Sequence, residues 1–170
     1  ETMKQIRSSI LPALVAAGLL LLTSCAARLA PVYDQALFDG LTRSSTQIME
    51  LFASVGSGTD PDRFSDREKS YNKAIGAVDA LAIQSRSRPM PSAKRMEKAA
   101  QYLDARGIGI PEANGEPPSA AALDQVSAQL VKMKETDREK GLSPTVVKLF
   151  KNNVIISMDQ ALTYEAFLKR

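Results

Sequence analysis

The sequence predicts an all-α fold, an antiparallel bundle of four long helices plus one short helix, on three observations. Apolar residues recur at three- and four-residue intervals along nearly the whole chain, and no stretch alternates as a half-buried strand would. Aromatic residues are 5% and Trp is absent, so Leu, Ile, Val, Met and Ala must build the core, a set that suits helices better than sheets. Gly and Pro cut the pattern into helix-length pieces before any piece sustains the heptads of a long coiled coil.

The first helix starts near Val32, where Leu37, Leu41, Ile48, Phe52 and Val55 hold helical spacing, and Gly56-Ser57-Gly58 ends it. Asp60 then reads as an N-cap with Pro61 at the first helical position. The second helix carries Phe64, Tyr71, Ile75, Val78 and Ala82, with Leu81 and Ile83 widening the stripe until Pro89 stops it. Ser92 opens a short third helix with Met96, Ala99, Ala100 and Leu103. Gly107 fits the C′ position of a Schellman cap, which places Ile108 against Leu103.

Residues Ile110 to Pro118, with Pro111, Asn114-Gly115 and Pro117-Pro118, read as an exposed loop. The fourth helix starts near Ser119, shows Leu123, Val126, Leu130 and Met133, and ends in a charged stretch before Gly141. Ser143 and Pro144 restart the chain as N-cap and N1, with Leu142 placed to staple onto Val147. The last helix, from Pro144 almost to Arg170, is apolar on more than one side and reads as the central helix. The short third helix is expected to bridge the second and fourth.

Ahead of the bundle lies a different kind of segment. Lys4 and Arg7 form a basic end, Ile10 to Leu22 an apolar run of 13 residues, and Thr23-Ser24 a small-residue step before Cys25, the only cysteine. A bilayer span needs about 20 apolar residues, so the run reads as a cleaved signal rather than an anchor helix.

Leu22-Thr23-Ser24-Cys25 resembles the lipobox of bacterial lipoproteins. The resemblance implies that residues 1–24 are removed as a signal peptide and that Cys25 becomes a diacylated or triacylated N-terminus, the site of lipid attachment. Glu1 and Thr2 precede Met3, the natural start of such a signal, and stand outside the fold argument. Residues 25–31 then form the lipidated Cys with a short tether, and residues 32–170 a single bundle domain. Each buried methylene contributes about 0.8 kcal/mol, so two or three acyl chains hold a protein on a membrane. Ala26 and Ala27 follow the Cys where an Asp would favour inner-membrane retention. By that resemblance the expected location is the outer membrane, facing the periplasm.

Composition excludes several functions. The mature chain has 20 basic and 18 acidic residues, a balance that argues against nucleic acid as a partner. No His is present and the one Cys is assigned to lipid, which removes imidazole-based zinc sites, His triads and thiolate nucleophiles. Asp and Glu are expected on polar helix faces, so no enzymatic activity and no cofactor are expected. Asp60, Asp62 and Asp66 suggest a calcium loop, but Phe64, Ser65 and Tyr71 occupy positions where that loop needs a ligand, a Gly and a Glu, so capping is the expectation. Tyr71, Tyr102 and Tyr164 are expected to pack in the core with their hydroxyls outward.

One cationic cluster stands out, Arg86, Arg88, Lys94, Arg95, Lys98 and Arg106, diluted by Glu97 and Asp104. It is the candidate patch for an anionic ligand or a partner. The function expected is that of a lipid-anchored envelope protein whose partners are the membrane, through acylated Cys25, and another envelope protein. It would act as an accessory, assembly or immunity-type component. The alternative is a binding module for an anionic envelope lipid or glycan, or for an apolar ligand.

Overall fold

The structure, a computed structural model, describes residues 33–110 and 115–170. The expected signal segment (residues 1–24), the expected lipidation site Cys25 and the expected tether lie outside the described residues. Within them are five α-helices, one 3₁₀ turn and no strand: α1 (Gln35–Val55), the turn Pro61–Arg63, α2 (Ser65–Arg86), α3 (Ala93–Asp104), α4 (Pro118–Lys140) and α5 (Pro144–Leu168). The long helices α1, α2, α4 and α5 run up, down, up and down, as short connections require.

Local chemistry sets most boundaries. Asp34 caps α1 by accepting from the Leu37 backbone N–H at 3.0 Å. Ser143 caps α5 through the Val146 N–H at 3.3 Å, with Pro144 at N1 and both Leu142 and Val147 in the core. The end of α3 is a Schellman cap: the Ile108 N–H donates to the Leu103 carbonyl at 3.0 Å and the Gly107 N–H to the Asp104 carbonyl at 2.8 Å. Gly107 supplies the left-handed residue at φ +69° that this cap requires.

The main core interleaves Leu37, Leu41, Ile48 and Phe52 of α1 with Tyr71 and Val78 of α2, Leu123, Val126, Leu130 and Met133 of α4, and Val147, Val154 and Met158 of α5. Burying each such side chain contributes about 1.5–3 kcal/mol, which makes this stripe-to-stripe packing the chief source of stability. A second small cluster joins Ala99 of α3 to Tyr164 and Leu168 of α5, with Tyr33, Met96 and Phe167 against it.

Five expectations are corrected. Asp60-Pro61 opens a 3₁₀ turn, and α2 proper begins only at Ser65, because Arg63 and Phe64 bond back to the Asp60 and Pro61 carbonyls in i→i+3 fashion. Ile83 does not widen the buried stripe of α2; it is 66% exposed, one position off the phase of Val78, Leu81 and Ala82. The short helix α3 packs on α5 rather than bridging α2 and α4. Of the loop before α4, Pro117 and Pro118 are buried. The last helix buries one face against its neighbours, while Leu149, Ile155 and Ile156 stay exposed on the other.

Candidate functional site

Two buried ion-pair networks pin opposite ends of the bundle, and they decide which charges remain for a ligand. At the end where α2 stops and α4 starts, Glu165 of α5 has no solvent exposure. Arg88 donates to it through Nη1 at 2.8 Å and through Nη2 to the other oxygen. The Ser119 hydroxyl donates to the same carboxylate at 2.6 Å, and Ser85 and Ser119 share a 2.8 Å hydrogen bond. The neighbouring Tyr164 phenol is buried without a partner, and burial together with the Glu165 charge pushes its pKa up to about 12.

At the far end Asp137 of α4, also unexposed, accepts from Arg67 Nε at 2.5 Å and Nη2 at 2.6 Å, and from the Tyr71 hydroxyl at 3.0 Å. Thr59 donates its hydroxyl to the same carboxylate. Arg67 reaches onward to the Arg63 and Asp60 carbonyls, both at 2.7 Å, and so holds the 3₁₀ turn. Burial alone would raise the Asp137 carboxyl, but the hydrogen bonds from Arg67, Thr59 and Tyr71 outweigh it and hold the group below the ordinary carboxylate range. Both acids correct the expectation that Asp and Glu lie on polar faces, and the hydroxyls of Tyr71 and Tyr164 point inward rather than outward.

The candidate patch divides accordingly. Arg86 is held by Glu116 at 2.8 Å and by Asp124, and Arg88 is spent on Glu165, so neither presents a free guanidinium. Lys94, Arg95 and Lys98 line an open groove of about 460 Å³ with Ser92, Phe167 and Arg170. Arg95 bonds the Leu168 carbonyl at 3.3 Å, and no carboxylate among the described residues pairs with Lys94, Lys98 or Arg170. Arg106 lies over the Tyr102 ring at 3.6 Å from its centroid and Arg170 over the same ring at 4.6 Å, beside Phe167. The groove therefore has unpaired cations on a partly aromatic floor, a surface suited to an anion carried on an apolar body.

No protein-family model, curated protein or solved structure matches this chain.

Elsewhere some charged groups have structural work. Asp60 caps the 3₁₀ turn by accepting from the Asp62 N–H at 3.0 Å, as expected, whereas Asp66 caps nothing and pairs with Arg63 at 3.1 Å. Among the described residues no three acidic side chains converge to hold a metal ion, and no helix is long and apolar enough to cross a membrane. Sequence reasoning missed Asp137, Glu165, Lys169 and Arg170. The two acids were signalled by helical phase, since Val126, Leu130, Met133 and Asp137 share one face, as do Val154, Met158, Ala161 and Glu165. Lys169 and Arg170 join the cluster only because α5 ends beside α3.

Proposed function

We propose that this chain is a lipid-anchored protein of the bacterial cell envelope that works through protein contacts, as an accessory, assembly or immunity-type component and not as an enzyme. The order of basic end, apolar run, small residues and Cys25 supports the anchor, with the outer membrane facing the periplasm as its location. The observation that carries the contact reading is the second face of α5. Leu149 is 60% exposed and Ile156 59%, one heptad apart, with Ile155 beside them and Asn152 between. An apolar stripe left in water along a helix whose other face is core is the kind of surface a partner covers.

The test is a photo-crosslinking residue at Leu149 or Ile156, with the exposed Lys73 of α2 as control, in intact envelopes. The same partner should be captured at both α5 positions and not at Lys73. Capture no richer than at the control position would sink the contact reading. Intact mass of the extracted protein should begin at acylated Cys25, and Cys25→Ser should move the protein to the soluble fraction.

A second reading, a module for an anionic envelope lipid or glycan, is favoured by the unpaired cations of the groove between α3 and α5.

A further inference from the structure

Tyr33, the first described residue, packs against the cluster of Ala99, Tyr164 and Leu168, and Lys169 Nζ lies 5.4 Å from its ring centroid. Tyr33 therefore sits beside the basic groove. Eight peptide steps separate Tyr33 from Cys25, a reach of at most about 28 Å when fully extended. The intervening segment contains Arg28 and no acidic residue.

We infer that this end of the bundle docks on an anionic phospholipid surface, with Lys94, Lys98, Arg106, Lys169 and Arg170 facing the headgroup phosphates. The inference rests on the reading that Cys25 is acylated, which confines the bundle to within that reach of the membrane. Charge complementarity does the rest. The unpaired cations Lys94, Lys98, Arg106, Lys169 and Arg170 outnumber Asp34, Glu97 and Asp104 at this end, whereas Glu116 and Asp124 are neutralised by Arg86 and Glu165 by Arg88. Each Lys or Arg near an anionic surface contributes about a fivefold gain in association, so five acting together outweigh these acids. Tyr102 and Phe167, half-buried among these cations, suit the amphipathic headgroup layer.

The same docking has a consequence for the other surface. From Leu168 the helix climbs about 1.5 Å per residue, so Ile156 stands about 18 Å and Leu149 about 28 Å along α5 from the docked end. The apolar stripe is held clear of the lipid, where an envelope protein can reach it.

The experiment uses acylated full-length protein in vesicles of phosphatidylcholine alone or with about one-third phosphatidylglycerol, a fraction that gives an anionic surface potential. Amine labelling of individual lysines is read by mass spectrometry. Labelling of Lys94, Lys98 and Lys169 should fall about fivefold in the anionic vesicles at low salt and recover in high salt, while Lys148 of α5 is unchanged. Lys94→Glu with Lys98→Glu, both exposed, should abolish the difference at Lys169 without moving the unfolding midpoint. Equal labelling in the two vesicle types overturns the docking. Failure of the anchor is seen separately, as an unacylated mass; Cys25→Ser protein added to the same vesicles then reports the docking surface alone, and absence of protection there also overturns it.

Discussion

Arg88 closes its guanidinium on Glu165, 77 positions away, and thereby ties the exit of α2 to the last turns of α5. Side-chain exposure is 11% for the Arg and 0% for the Glu. Charges this deep lose their hydration, and their mutual bond together with the hydroxyls of Ser119 and Ser85 compensates.

Removing one partner should therefore be far worse than removing both. Glu165→Ala, which leaves the Arg88 charge uncompensated, should lower stability by about 3–5 kcal/mol in urea unfolding. Arg88→Met with Glu165→Leu should fall within about 1 kcal/mol of wild type or above it. A double variant as damaged as the single would refute this account of the pair.

Asp137 links stability to pH. Its folded pKa lies below the unfolded value, so its contribution is fully present above about pH 4 and is lost as pH falls through the lower folded pKa. Asp137→Asn should be less stable than wild type at neutral pH, and the gap should shrink on acidification. Parallel stability curves for the two proteins from pH 7 to pH 3 would contradict it.

Two glycine-to-alanine changes should have opposite signs. Gly141 ends α4 at φ +71° and ψ 178°, and a Cβ there would collide with the Thr59 carbonyl oxygen. Gly141→Ala should cost about 2 kcal/mol or more. Gly76 is exposed in the middle of α2, where an added Cβ would meet nothing within 4 Å, so Gly76→Ala should stabilise by about 0.5–1 kcal/mol. Thermal melts of the two variants check both signs.

Leu130 and Leu149 separate core from contact surface. Leu130→Ala, at a site with no exposure, should cost about 2–5 kcal/mol. Leu149→Ala should change stability by no more than about 0.5 kcal/mol while weakening capture of the envelope partner. A large loss of stability from Leu149→Ala would assign the residue to the core instead.

The five helices, the caps at Ser143 and Gly107, and the core stripes of α1 and α4 were all legible in the sequence. Each rests on interactions within one or two turns: a hydroxyl to a nearby N–H, a left-handed glycine, a three-or-four spacing that puts apolar groups on one face. Ile83 shows the limit of that reasoning, since an apolar residue one step out of phase is as hydrophobic as its neighbours yet faces water.

What tertiary structure alone decided is the pairing of charges. In sequence, Arg86, Arg88, Lys94 and Lys98 are equivalent cations within one connection. Only the approach of α4 and α5 brings Glu116, Asp124 and Glu165 to the first two and leaves the others unpaired beside Arg170. Helical propensity and amphipathic phase act over a few residues and can be read along the chain. Ion pairing acts through space between segments some 30 to 80 positions apart, so it is fixed only when the helices have packed.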